Sequence, residues 1–440
     1  MQTMKNACML RLALCSLVVV SVVTRWTPSA AAQGAGGAPA QGAAASAPGA
    51  SGGPQPTAES AAPSAPGSRF PSEVTAVPAP QPDEVPALDL ITMGVGSLIW
   101  ERHGHIALCV RYPSGRGDAC YNYGIADFYH PIAMAWGFFR GTRSFWAGLE
   151  RPREMTSRYA WADRTVWVQR LPFTPAETAK VVAKLEFDVQ EAHKYYAYDH
   201  FWDNCTTRVR DILDEASGGK LRALRGSSDS RTFRDLAREG FYGMPMPLVV
   251  TDIAMGRVTD VVPSYWERMF LPDYLREAAT AAWGVEPQVL YQRKGPPATR
   301  DAASGRGWFA LLLVLWTLPV WVAARAKRWQ RVTMGVAVAP AVVLGVALWG
   351  LAIISPLPYV RWNESCLLFF PGDVLLAGGA TLRLKYAKVR LATLIGFALA
   401  ALVGLLRQPL WAPWLLPVSL SLAIVLPHYY KNKSARTVRP

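Results

Sequence analysis

The last third of the chain constrains the rest most strongly, because it is a succession of apolar runs that a soluble domain of this size has no room to bury. From Trp308 onward the runs 308–324, 332–354, 366–381, 391–406 and 410–427 approach or reach the length at which a helix crosses a hydrocarbon layer. Pro371 and Asp373 interrupt the third run, and Pro413 and Pro417 the fifth, so a transmembrane domain of four to five helices is expected over 308–427. Connecting charges give the runs a direction. Arg325, Lys327, Arg328 and Arg331 follow the first run, Arg383, Lys385, Lys388 and Arg390 the third, and Lys431, Lys433, Arg436 and Arg439 the fifth. Arg361 and Arg407 stand alone in the alternate connections. Lys and Arg accumulate on the cytoplasmic side, so the odd-numbered exits and the 428–440 tail belong in the cytoplasm, and the first run enters from the periplasm. Arg293, Lys294, Arg300 and Arg306 precede that run against the rule, which a large exported domain tolerates.

The other end of the chain agrees. Lys5 and Arg11 precede an apolar run from Leu12 to Val23, and Ala30-Ala31-Ala32 supplies small residues for cleavage, so 1–32 reads as a secretory signal peptide. Residues 33–87 are dominated by Ala, Pro, Gly, Ser and Gln, which cannot bury enough apolar surface to offset ordering their backbone; a disordered tether is expected. The net charge of +14 would suit a nucleic-acid binder, but much of it lies in short runs beside apolar segments, where membrane orientation accounts for it, and no nucleic-acid partner is expected. The six cysteines have no CxxC or Cys/His finger spacing, so no structural zinc and no cofactor are expected. Cys8 and Cys15 fall in the leader, which leaves Cys109, Cys120, Cys205 and Cys366.

Between tether and membrane, residues 88–292 read as a mixed α+β domain in the periplasm. Leu88–Met93, Gly104–Tyr112, Ala119–Tyr123 and Thr165–Leu171 alternate as strands do, with a hairpin turn at Pro113–Gly117. Thr174, Pro175 and Glu177 form the cap, first position and capping box of a helix running to about Ala192. A second helix runs from near Asn204 to Ala216 and closes at Gly218-Gly219.

Cys205 sits at the start of that second helix. Unpaired N–H groups there stabilise anions, so the thiol is expected to have a lowered pKa and the N–H groups to serve as an oxyanion hole. The polar neighbours Asp203, Asn204, Thr206, Thr207 and Arg208 argue against an inert apolar slot. The base is expected to be His105, at a strand start behind Gly104; His200 is a possible pocket neighbour, and topology excludes His428. The residue orienting the imidazole is left open. A hairpin centred near Gly115 pairs 105 with about 125 and offers Tyr123 or Asp127, a one-residue slip offers Asn122, and Glu101 is close in sequence. Asn204 and Arg208 are further supporting candidates. Cys109 and Cys120, on adjacent strands, are placed to form a disulfide in an oxidising compartment, which would leave Cys205 free.

Taken in order, Glu101…Gly104-His105-Ile-Ala-Leu, Tyr121-Asn-Tyr-Gly-Ile-Ala-Asp-Phe128, Asp203-Asn-Cys-Thr-Thr-Arg-Val-Arg-Asp211, Arg231-Thr-Phe-Arg and Met269-Phe-Leu-Pro-Asp-Tyr-Leu275, with Trp362-Asn-Glu in a membrane loop, resemble the Lnb N-terminal periplasmic domain family. The resemblance implies a permuted papain-like (NlpC/P60-like) thiol-enzyme domain, in which His precedes Cys. It also implies a lipoprotein N-acyltransferase, with a phospholipid as acyl donor, the α-amine of a diacylglyceryl-cysteine lipoprotein as acceptor, and a thioester on Cys205 between them. Two alternatives share these residues: a cysteine amidase or peptidase acting on cell-wall peptides, and a non-catalytic binding module on a membrane anchor.

Overall fold

The computed structural model describes residues 74, 77–226, 229–297 and 305–437, with side chains through 430. The signal peptide, most of the tether, Cys8, Cys15 and Arg300 lie outside the described residues. In the N-terminal part the strands β1 (Ala87–Met93), β2 (His105–Arg111), β3 (Ala119–Ile125), β4 (Phe145–Glu150), β5 (Val166–Leu171), β6 (Tyr195–Tyr196) and β7 (Gln288–Tyr291) form one sheet of order β6-β4-β3-β2-β1-β5-β7. Every pairing in it is antiparallel.

Both faces of the sheet are covered, and the period-two alternation decides which side chain meets which layer. Leu88, Leu90, Ile106, Leu108, Val110, Tyr121 and Tyr123 face one way. On them pack Val181 and Leu185 of α3 (Pro175–Asp188), Val209, Ile212 and Leu213 of α4 (Cys205–Ala216), and Leu275, Ala278 and Ala279 of α7 (Pro272–Trp283). Ile91, Met93, Ala107, Cys109, Cys120 and Val166 face the other way, against Met155 and Tyr159 of α2 (Pro152–Trp161). Cys109 and Cys120 are directly opposed across β2 and β3 and joined by a disulfide, and Cys205 is free. Strands and helices foreseen from local signals agree within a few residues. The Thr174–Glu177 capping box is formed, and α3 ends at Asp188 rather than Ala192. Three more helices of seven or more residues lie in this part, α1 (Pro131–Phe139), α5 (Phe233–Glu239) and α6 (Pro245–Ala254), with single turns at Lys220–Ala223 and Tyr265–Arg268.

The C-terminal part is helical: α8 (Arg306–Ala326), α9 (Gln330–Ile354), α10 (Ala380–Leu402) and α11 (Trp411–Thr437). Among the described residues, three helices are long and apolar enough to cross a membrane: Arg306–Ala326, Gln330–Ile354 and Trp411–Tyr430. Two expectations need correction. The apolar run 366–381 is not a spanning helix but a single turn at Ser365–Leu368 followed by 3-10 turns at Pro371–Ala377, as its Pro and Gly residues require. The run read as 391–406 is α10, which starts eleven positions earlier, at Ala380, so Arg383, Lys385, Lys388 and Arg390 lie within a helix rather than a loop. Arg390 explains how the irregular segment survives. Its guanidinium is buried, donates to the Leu367 and Leu368 carbonyls at 2.9 Å each, and pairs with Asp373 at 2.8 and 2.9 Å. Broken backbone inside an apolar layer is tolerated only where protein satisfies its polar groups.

Buried polar groups join the two parts. Asp252 of α6 accepts from Arg306 of α8 at 2.8 and 3.0 Å and pairs with Arg238 of α5. Gln408 donates to the Asp252 carbonyl at 3.0 Å, and Asn363 donates to the Ile253 and Ala254 carbonyls at 2.8 and 3.1 Å. Glu364 accepts from the backbone N–H groups of Arg407 and Gln408. The Trp362-Asn-Glu element is thus the joint between the parts.

Candidate active site

His105 opens β2 after Gly104, whose φ of +79° and close approach to the Met93 carbonyl exclude a side chain. Alternation turns its imidazole toward α2, where it stacks on Tyr159 with centroids 6.2 Å apart. The β2–β3 register pairs Ala107 with Asn122 and Cys109 with Cys120, one residue away from the pairing expected for a turn centred on Gly115. That slip brings Asn122, 1% exposed, onto the face of His105, and Nε2–H donates to Asn122 Oδ1 at 3.1 Å. Nδ1 is left as the basic nitrogen. Asn122 also donates to Met155 Sδ at 3.8 Å, which fixes its amide.

The other orienting candidates are engaged elsewhere. Asp127 pairs with His130 at the surface, 2.7 Å away. Tyr123 lies on the opposite face and donates to Asp188 at 2.8 Å. Glu101 is buried, accepts from Leu98 N–H at 3.0 Å and faces Arg164 at 3.7 Å. Arg208 makes a two-pronged pair with Asp203 and lies 3.6 Å over the Tyr196 ring. His200, the possible neighbour, packs against His103, Phe201 and Phe270.

Asn204 builds the ground under Cys205. As the N-cap of α4 its Oδ1 accepts from Thr206 and Thr207 N–H at 2.8 and 2.9 Å, while its amide donates to the His200 and Phe270 carbonyls. Two of the N–H groups foreseen for an oxyanion are therefore already occupied. The thiol meets Thr206 Oγ1 at 3.7 Å and lies within hydrogen-bonding reach of the Ile106 and Cys205 N–H groups. Ile106 is the residue after His105, so thiol and imidazole belong to the same end of β2, with Cys205 approaching from the α4 side. Among the described residues no hydrogen bond joins them.

Electrostatics correct a second expectation. Burial pushes the Cys205 thiol up from its ordinary value, against the Thr206 hydroxyl and the surrounding N–H groups, so the helix start does not lower it. Burial, followed by the Arg164 guanidinium, holds His105 down to about 3 despite the Asn122 bond. The resting pair is a neutral thiol and a neutral imidazole. Arg164, 4% exposed, is the residue the sequence did not flag: it acts electrostatically on both His105 and Cys205, and its Nη2 has no hydrogen-bond partner. A lone Arg at a strand start carries no signal that would have found it.

Beyond His103, a cleft of about 500 Å³ is lined by Arg102, Arg276 and Arg293 among others; neither Cys205 nor His105 lines it. Among the described residues no group of three His, Cys, Asp or Glu side chains is placed to hold a metal ion.

No curated protein and no solved structure matches the chain. The family comparison does give a match, over residues 80–239, which takes in β1 to β6, α4 and the His105, Asn122 and Cys205 positions and ends with α5, before the helical part. Residues 80–239 match the Lnb N-terminal periplasmic domain family, in a chain that also carries candidate membrane-spanning helices.

Proposed function

We propose that the chain is a lipoprotein N-acyltransferase of the inner membrane, with Cys205 as nucleophile, His105 as general base and Asn122 as the residue that orients it. The observation that carries this reading is the 3.1 Å bond from His105 Nε2–H to Asn122 Oδ1, at the end of β2 where the Ile106 N–H reaches a free cysteine at a helix start. It leaves Nδ1 as the base, and the order His then Cys is that of permuted papain-like enzymes.

In the first half-reaction Nδ1 takes the thiol proton as Sγ attacks a phospholipid ester carbonyl. The tetrahedral intermediate collapses to a thioester, and the departing alkoxide leaves as a lysophospholipid with that proton. In the second, the α-amine of the diacylglyceryl-cysteine attacks the thioester, gives a proton to Nδ1, and releases an amide and the thiolate, which recovers the proton. The Ile106 and Cys205 N–H groups are the donors we assign to the oxyanion. A neutral resting pair suits an acyl-ester substrate in a water-poor site, because the charged pair forms only as the reaction proceeds.

The membrane arrangement follows the basic residues. The irregular segment runs back along α9: Trp349 Nε1 donates to the Cys366 carbonyl at 3.0 Å near one end, and Arg383 donates to Gln330 Oε1 at 2.9 Å at the other. With α8, α9 and α11 as the crossings, the basic residues after α8 and after α11 fall on one side, which puts the enzyme domain in the periplasm and the C-terminus in the cytoplasm. Residues 1–32 remain the signal peptide in this reading, and of the 33–87 tether the last residues belong to the folded domain, with Val77 on its core, Glu84 accepting from Ser114 and Ala87 in β1. In the test, a strain lacking its lipoprotein N-acyltransferase receives this gene, and the N-terminal peptide of a lipoprotein is weighed. One added acyl chain supports the reading, and an unchanged diacyl peptide with well-expressed protein rejects it.

A further inference from the structure

Helix α1 is the feature the reaction scheme leaves unexplained. Tyr129 just before it is 72% exposed, Ile132 86% and Trp136 53%. Ile132, Trp136 and the exposed Arg140 recur every fourth residue, so they form one stripe along the helix, and its first turn carries no acidic residue. An isoleucine left this open on a helix of a folded domain, next to an exposed tryptophan, marks a surface that meets something apolar.

Its position says what. The opposite face of α1 packs inward through Phe138 on Tyr198, while Phe139, at the end of the stripe's own side, packs beside the cluster of Leu357, Tyr359 and Val360. Gly141, just past the helix end, lies so close to the Pro356 ring that a side chain there would collide with it. Pro356 follows Ile354, the last residue of α9, by two positions, and Ile353 on that last turn is itself 72% exposed. The helix therefore rests on the loop that leaves the membrane-spanning helix, within about one helix diameter of its end. Trp362, 61% exposed, closes the same loop.

We propose that the Tyr129–Ile132–Trp136–Arg140 stripe is seated in the interfacial layer of the bilayer and that its partner is the lipid surface itself. Apolar side chains enter the headgroup–acyl boundary, aromatic rings sit at its level, and the arginine reaches lipid phosphates. Phe138 of the inward face and Tyr198 beside it both pack against the buried cluster that contains Cys205, so the helix lies between the lipid surface and the thiol's surroundings. An acyl donor drawn from the bilayer would then enter along it. The inference rests on the membrane reading of α8, α9 and α11 but not on the acyl-transfer chemistry.

The test places a photo-reactive p-benzoylphenylalanine, one site at a time, in the full chain reconstituted in phosphatidylethanolamine/phosphatidylglycerol nanodiscs. The sites are Ile132, Trp136, Ile353 as a membrane control and Phe187 of α3 as a solvent control; all are exposed, so folding is spared. Covalent lipid adducts are read by mass spectrometry. Adducts at Ile132, Trp136 and Ile353 with none at Phe187 support the proposal. Adducts at Ile353 but at neither α1 position overturn it and leave the membrane reading standing. No adduct at Ile353 overturns both.

Discussion

Replacing Asn122 with Ala removes the acceptor that fixes the His105 tautomer. Asn122 is 1% exposed and its Oδ1 receives Nε2–H at 3.1 Å, so in the variant that N–H either stays unpaired or the proton moves to Nδ1, the nitrogen that must take the thiol proton. An unsatisfied buried donor costs about 1–3 kcal/mol, and 1.4 kcal/mol is a factor of ten, so kcat should fall roughly 10- to 100-fold. KM should hardly move, because a side chain this buried does not reach a substrate. The assay is transfer from phospholipid to a synthetic diacylated lipopeptide in nanodiscs, followed by mass spectrometry, with the thermal transition recorded to exclude unfolding. Asn122→Asp keeps the acceptor and adds a negative charge beside the imidazole, so the acid limb of its pH–rate profile should move to higher pH. A folded Asn122→Ala variant within about twofold of wild type, or an Asn122→Asp profile that does not shift, would refute the orienting role.

Other consequences are as direct. Because burial raises the Cys205 thiol above its ordinary value of 9.0, alkylation by iodoacetamide, followed on the Cys205 peptide, should keep rising through pH 9 instead of levelling near neutrality. His105 and His200 are both held down to about 3 from 6.5, so the unfolded chain binds protons that the folded one refuses. Stability is therefore unaffected above pH 6.5, falls as the pH drops below it, and levels near 3; at pH 5 each histidine should cost about 2 kcal/mol. His105→Gln and His200→Gln should each flatten the acid side of the thermal-stability curve. Asp252→Ala leaves Arg238, 2% exposed, without its carboxylate and frees Arg306 at the start of α8. Breaking a buried pair this way should cost about 3–5 kcal/mol, seen as a lower melting temperature and faster proteolysis between the two parts.

Local signals were enough for β1, β2, β3, β5, α3 and α4, because alternation and caps act within a few residues. Thr174 and Glu177 bond each other, and Asn204 caps α4. What failed depended on distance or on half a residue. Val110 pairs with Ala119, so the hairpin centre lies between Ser114 and Gly115, and that shift alone moved Asn122 onto the face of His105. The thiol at a helix start was legible, but its titration was not, since burial against the sheet, through residues such as Ile106 and Tyr121, comes from elements far away in sequence. The same holds for α10: a run of four basic residues reads as a loop until Asp373 and the carbonyls of a broken segment appear beside Arg390. The two-residue β6 is too short to announce itself.

The most direct test of the thiol mechanism is to trap its intermediate. Full-length protein in phospholipid nanodiscs, without acceptor, is quenched in acid and digested, and the Cys205 peptide is weighed. The account predicts one acyl chain on that peptide, removable by hydroxylamine, lost in Cys205→Ala and strongly reduced in His105→Ala, with an equivalent of lysophospholipid released. Lysophospholipid release that persists in Cys205→Ala, or an acyl chain found on another residue, would contradict it.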